Sequence, residues 1–310
     1  MRESLLTRAI LVGALVLIPT GVSAAQDGGL SFLSIGTDAA ALALGDAGVA
    51  TRGGSFSTYW NPAALADGEK NHLGASHHIW IADVRTYGIS GSFKSGKSSG
   101  VGLFVTATGS GDLEARDRPG EPSGTFDAQF ISTGASYGRG IGPVRAGITV
   151  KYLTERIFTN SATGYAFDFG LQYATAENAF RFGVALQNVG RMDELNAVRT
   201  RLPRMLRVGA VIYPFRILTA LDGATFLNTS IQVEVSRNTA LKQTQFHGGV
   251  EAEVLETVAA RIGYLSNDTL RDFSAGLGIS MDPLSFDYAV IPFDDGFGGP
   301  AHILTLTYAY

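Results

Sequence analysis

Leu227-Asn228-Thr229-Ser230-Ile231-Gln232-Val233-Glu234-Val235 decides the fold class of this chain. Leu227, Thr229, Ile231, Val233 and Val235 share one face of an extended strand, and Asn228, Ser230, Gln232 and Glu234 share the other. Successive side chains of a strand leave opposite faces, so a period of two marks a strand apolar on one side only. A helix would scatter the same residues around its circumference. The pattern recurs beside it, where Phe246, Gly248, Val250, Ala252 and Val254 oppose His247, Gly249, Glu251 and Glu253. Upstream, Tyr165, Phe167, Phe169, Leu171 and Tyr173 oppose Ala166, Asp168, Gly170 and Gln172.

Working outward, about fourteen such segments of roughly ten residues fill the chain from Asn71 to Tyr310, the length that crosses a bilayer at a tilt. Soluble β-sandwiches also alternate, so the connections arbitrate. Gly109–Gly124, Glu155–Gly164, Val189–Leu202, Arg237–Gln243 and Phe293–Pro300 read as outer loops. Lys94–Ser99, Gly138–Gly142, Thr175–Asn178, Leu255–Thr257 and Asp282-Pro283 read as short turns at the other end. Long and short alternate, as an outer-membrane barrel requires; Ala82-Asp83 and Phe215–Thr225 break the pattern. Only 17% of residues are charged and 39 are Gly, while mean hydropathy is slightly positive. A barrel apolar on its outer face alone reconciles these values with the lack of a membrane-helix run after the N-terminus. The reading is an all-β transmembrane antiparallel barrel over residues 70–310, in the bacterial outer membrane.

The remainder reads differently. Residues 1–24 predict a signal peptide: Arg2 and Arg8, an apolar core over Ala9–Ile18, and Val22-Ser23-Ala24 before the cleavage point. Residues 25–69 carry two short helix signals. Asp38 can cap a helix over roughly Ala39 to Leu44, with Gly45 and Gly48 ending it. In Tyr59-Trp60-Asn61-Pro62-Ala63-Ala64-Leu65, Asn61 can cap a helix with Pro62 at its first position, stopped by Asp67-Gly68. Helices this short need a host. A barrel of about fourteen strands is too wide for its own side chains to fill, so residues 25–69 are predicted to form a hatch in the lumen. Trp60, Asn61 and Pro62 are its candidate lumen residues, with Trp60 and Asn61 placed near the narrowest point.

The run Phe32 to Ala50, followed by an aromatic, Asn61-Pro62-Ala63 and Leu65 and then only strands, resembles the PorV/PorQ family, which is related to FadL-type outer-membrane barrels. The chain departs from that family at Ala39-Ala40-Ala41, where an Arg is usual, and at Ala64, where a Gly is usual. The resemblance implies a FadL-like barrel with the N-terminal segment folded inside. It also implies a part in type IX secretion, with secretion components and cargo proteins as partners. The alternatives are a FadL-like channel for hydrophobic small molecules and a structural barrel without transport. The last strand puts His302, Leu304, Leu306, Tyr308 and Tyr310 on one face, which resembles the signal read by the barrel-assembly machinery. Tyr308 and Tyr310 are its candidate residues, and outer-membrane lipid is the expected surroundings.

Several motifs invite other chemistry. Gly91–Ser98 has P-loop spacing, but a strand follows where the phosphate-cradling helix must begin. Ser136 has nucleophile-elbow spacing inside an alternating segment, again with no helix. His77 and His78 are adjacent, so a strand sends them to opposite faces and they cannot share a metal. Asp294–Gly299 lacks a spaced Ca²⁺ ligand set. The chain therefore reads as no enzyme, with no cofactor and no metal. Zero Cys removes thiolate metal sites, and a formal charge of −4 without a basic tract argues against nucleic acid. The presumed inner face mixes signs: Arg145, Lys151, Arg181, Arg207 and Arg261 against Asp168, Glu234, Glu251, Glu253, Asp272 and Asp287. Such a lumen is expected to pair its charges internally and with the hatch rather than select one sign of ion.

Overall fold

The structure is a computed structural model that describes residues 30–116, 120–175, 179–219, 226–293 and 298–310. The predicted signal peptide and Asp294–Phe297 lie outside the described residues. Fourteen strands form one closed antiparallel barrel. In chain order they are β1 His72–Ile79, β2 Arg85–Gly96, β3 Ser99–Ala115, β4 Gly124–Ile141, β5 Val144–Ile157, β6 Asn160–Ala174 and β7 Phe180–Met192. The second half comprises β8 Met205–Ile212, β9 Leu227–Asn238, β10 Gln243–Val254, β11 Val258–Leu265, β12 Phe273–Met281, β13 Leu284–Ile291 and β14 Ala301–Ala309. Each strand pairs with its sequence neighbour, and β1 closes on β14 from His72↔Ala309 to Ile79↔His302. Closure leaves no sheet edge, which is the condition for strands to stand in lipid.

The faces are inverted relative to a soluble protein. Ile89, Leu103, Val150, Leu171, Val233, Ile262 and Leu277 are exposed on the outside, while Ser90, Thr149, Asp168, Gln172, Arg181, Arg207 and Glu234 are buried within. Lipid outside and a polar core inside give both faces a suitable neighbour. Among the described residues no helix is long and apolar enough to cross a membrane, so the strands do the crossing. The closed wall and its apolar outer belt place the chain in the outer membrane.

The end carrying residues 97–98, 142–143, 255–257 and 282–283 has the tight turns and is the periplasmic one. One long connection there, after β8, contains a short helix, Pro214–Thr219. At the outer end strand takes over part of two expected loops. β3 and β4 pair as far as Ala115↔Gly124, and β5 and β6 are joined across residues 158–159 alone. The ladder continues above the lipid, where neither face must be apolar, so the hydropathy alternation fades before the backbone pairing does. The expected outer loop Val189–Leu202 begins as the end of β7, to Met192, and holds a small hairpin, Glu194–Leu195 against Val198–Arg199.

The misleading motifs resolve as read. Gly91–Gly96 belong to β2, Lys97-Ser98 is the turn, and β3 follows at once. Ser136 sits in β4 with its hydroxyl 2.8 Å from that of Thr149. His77 stacks on Tyr87 outside the barrel, and His78 is buried inside it.

Tyr308 and Tyr310 lie at the periplasmic end of the closing strand, exposed and stacked with ring centroids 5.5 Å apart. Tyr310 also exchanges two backbone bonds with Asn71, 2.9 and 3.0 Å. Deleting Tyr310 removes both bonds and one member of the aromatic pair. The heat-modifiable fraction on a denaturing gel is expected to fall severalfold. An unchanged fraction would show that the last residue is dispensable for closure.

Candidate functional site

The lumen is filled by residues 30–67. The local chemistry follows the capping signals. Asp38 accepts from the Ala41 N–H at 3.0 Å and starts α1, Ala39–Leu42; Gly45 then turns the chain at φ +72°. Asn61 accepts from the Ala63 N–H at 3.1 Å and starts Pro62–Asp67, which is a 3₁₀ helix. A second short helix, α2 Ser57–Trp60, precedes it. None of these elements could persist in water. They persist because Leu42, Ala43, Val49, Trp60, Ala63 and Leu65 are buried against the wall and one another.

At several of the closest hatch–wall approaches the wall residue is glycine. A Cβ at Gly170 of β6 would stand 2.0 Å from Asn61 Oδ1, and one at Gly263 of β11 would stand 2.0 Å from the Gly45 nitrogen. A residue without a Cβ lets the Asn61 side chain lie on β6 and the Gly45 backbone lie directly on β11.

Asn61 is fully buried and uses both ends of its amide. The oxygen caps; the NH₂ group donates to Val49 O at 2.8 Å within the hatch and to Leu171 O at 3.1 Å in β6. Asn61→Ala therefore costs more than a surface cap, about 2–4 kcal/mol with the stranded carbonyls included. The expected result is a folded barrel whose residues 30–67 are cut faster in limited proteolysis, with an unchanged heat shift.

Trp60 is the pivot of the hatch. Its Nε1–H donates to Asp38 Oδ2 at 2.6 Å, Tyr59 meets it edge-on at 4.9 Å, and the Arg207 guanidinium lies 5.1 Å from its ring centre. Burial pushes the Asp38 carboxyl above the usual carboxylate range, against the opposing bonds from Trp60 and Ala41. Burial likewise pushes the Tyr59 hydroxyl up. Arg207, from β8, ties three parts together. It pairs with Glu234 of β9 at 2.7 Å, faces Asp46 of the hatch at 3.7 Å, and donates to Asp46 O at 3.2 Å. The other Glu234 oxygen accepts from the Gly48 and Val49 N–H groups at 2.9 and 3.0 Å. At the periplasmic end Asp67 takes Arg145 and Arg181. Wall charges also pair among themselves, Lys151 with Asp168 and Arg261 with Glu251 and Asp287. The mixed lumen is thus a set of fasteners.

The β6–β7 ladder is interrupted between Phe167 and Phe169, so Gln187 and Asn188 both turn inward. Gln187 donates to Tyr59 O and Asn188 to Leu33 O at 3.4 Å. A β-bulge that aims two consecutive side chains at the hatch leaves no mark in the alternation itself.

Two cavities flank the hatch. The outer one, about 510 Å³, has Leu30, Phe32 and Ile35 of the hatch as its floor, and Trp80, Ile81, Val84, Leu270 and Phe293 around its mouth. Phe130 and Ile157 complete an apolar lining in which Thr37, His78, Glu155, Asp268 and Arg271 are the main polar groups. The inner cavity, about 370 Å³, is polar, with Arg52, Glu251, Arg261 and Asp287 beside Asp38 and Trp60. The hatch thus lies between an apolar outer cavity and a more polar inner one.

No family model and no curated protein matches the chain. Among solved structures it is similar to the toluene transporter TodX of Pseudomonas putida, at 9% identity over 92% of this chain and 99% of that one, with a TM-score of 0.61. It is similar to the toluene transporter TbuX of Ralstonia pickettii, at 13% identity over 88% and 98%, with a TM-score of 0.56. A FadL homologue from Pseudomonas aeruginosa gives 11% identity over 88% and 98%, with a TM-score of 0.52. The PorV/PorQ resemblance of residues 32–65 draws no support from these comparisons. What they share with this chain is the architecture: it folds as a FadL-type outer-membrane barrel.

Proposed function

We propose that this barrel is a channel for small hydrophobic molecules, which enter the outer cavity and pass inward when the hatch shifts. The observation that carries the reading is the outer cavity itself, about 510 Å³, walled by aromatic and aliphatic side chains and floored by Leu30, Phe32 and Ile35. That size and lining fall in the range of small-molecule sites. A passage for ions or sugars would need a wet polar path from end to end, and here the path is interrupted by packed hatch. The toluene-transporter neighbours share the architecture, which agrees with this reading.

The second reading is delivery of proteins to the cell surface, favoured by the Phe32–Leu65 signature that resembles PorV/PorQ proteins. One experiment separates the two. Cells lacking the protein are expected to take up radiolabelled 1-methylnaphthalene more slowly, to regain the rate on complementation, and to keep their surface proteins. Unchanged uptake together with surface proteins retained in the periplasm would favour secretion instead.

A further inference from the structure

His78 and Thr37 sit where the outer cavity meets the hatch, and each line its wall. The His78 Nε2 lies 3.2 Å from Thr37 O. A carbonyl oxygen only accepts, so Nε2 carries the ring proton, and in the neutral imidazole Nδ1 is left as an acceptor. That Nδ1 atom is buried with no hydrogen-bond partner, and so is the Thr37 hydroxyl. His78 is 1% and Thr37 6% exposed, so neither atom is served by bulk water. Buried polar atoms are nearly always paired, and two unpaired ones on neighbouring residues of one cavity call for a shared explanation. Both residues line the cavity while these two atoms stay closed to it; the hatch shift of the channel reading would open them to a ligand O–H, which donates to Nδ1 and accepts from Thr37.

The charges around the cavity set the rest of the ligand's chemistry. Arg271 is already engaged, at 3.4 Å from Asp46 and 3.5 Å from Asp268. Glu155, which accepts from Thr200 at 2.7 Å, and Asp268 bring two carboxylates to the lining. An anionic ligand would meet two negative charges and a cation already held by two acids. We propose that the outer cavity selects neutral hydrophobic molecules bearing a single hydroxyl, such as phenols, and that His78 and Thr37 read that hydroxyl. This rests on the channel reading above and narrows it to a ligand class. A site built around a donor group rejects the analogue that lacks it, because its own polar atoms then stay unpaired.

The test uses the full chain in detergent and three probes of similar shape: 1-naphthol, 1-methylnaphthalene and 1-naphthoate. Equilibrium binding is expected to favour 1-naphthol about tenfold over 1-methylnaphthalene, with 1-naphthoate the weakest. In His78→Gln, which can keep a donor toward Thr37 O and removes Nδ1, and in Thr37→Val, the naphthol preference is expected to shrink to about one. The unboiled heat shift checks that each variant is folded, and the two substitutions lie on different elements, so one remains informative if the other fails to assemble. Equal binding of naphthol and methylnaphthalene overturns the hydroxyl proposal and leaves the channel reading standing. A preference that survives in both variants overturns the assignment of His78 and Thr37. Tighter binding of 1-naphthoate overturns the neutral class. Saturable binding of none of the three overturns the channel reading and this proposal with it.

Discussion

Deleting Leu30–Asp67 is expected to convert the closed barrel into an open pore. The fourteen-stranded wall is continuous and does not use the hatch for its ladder, so it should still close. Its inner face is polar, with Arg181, Gln187, Arg207, Gln232 and Glu234 turned inward, and fills with water once the hatch is gone. Conductance in planar bilayers is expected to rise about tenfold or more over the intact protein, and small hydrophilic antibiotics should enter cells carrying the truncated chain. The heat shift on gels is the control for folding. A truncated, folded barrel that conducts no better than the intact one would mean that the lumen is blocked by something other than residues 30–67.

The second large effect is expected at Arg207. Arg207→Met leaves Glu234 buried without its cation, leaves Asp46 with Arg271 alone, and strips the Trp60 ring of the charge above it. Removing one partner of a buried charge network typically costs about 3–5 kcal/mol, more than exchanging the whole network for apolar groups. The loss falls on the hatch, because Glu234 is what holds Gly48 and Val49. The expected result is a folded barrel with rapid proteolysis of the Asp46–Ala50 stretch and a conductance between those of the intact and truncated forms. Arg207→Met with Glu234→Gln should recover part of the difference, since no bare carboxylate then remains on the wall. Arg207→Lys should fall between, because it keeps the charge but loses the planar fork. An Arg207→Met hatch as resistant as the original would show that packing alone holds it.

How far the sequence led depends on which interactions are local. The alternation at Leu227–Val235 is a property of nine consecutive residues, and it survives in the structure as an exposed and a buried face. Asp38 and Asn61 cap helices that begin one residue later, so their roles were also readable. The fasteners are different. Arg207 meets Asp46 across 161 residues of chain, and Gln187 meets Tyr59 across 128. Nothing local in the sequence says which inward charge faces which hatch residue. One overlooked signal was available. Gly183, Gly249 and Gly263 fall on inward positions of otherwise well-patterned strands, where a missing Cβ marks close approach by another backbone. The outer cavity was illegible for a further reason: its walls come from three connections, several strands and the hatch at once.

The central claim is that the outer cavity is a binding site for a hydrophobic solute. Equilibrium dialysis of radiolabelled 1-methylnaphthalene against the purified full chain, beside Ile157→Trp, tests it most directly. Ile157 ends β5 and lines the cavity, so the larger indole occupies space that the solute needs. The account predicts one saturable site in the native chain, weakened about tenfold or more in Ile157→Trp, with both proteins showing the same heat shift. No saturable binding by the native chain, or equal binding by both, would contradict it.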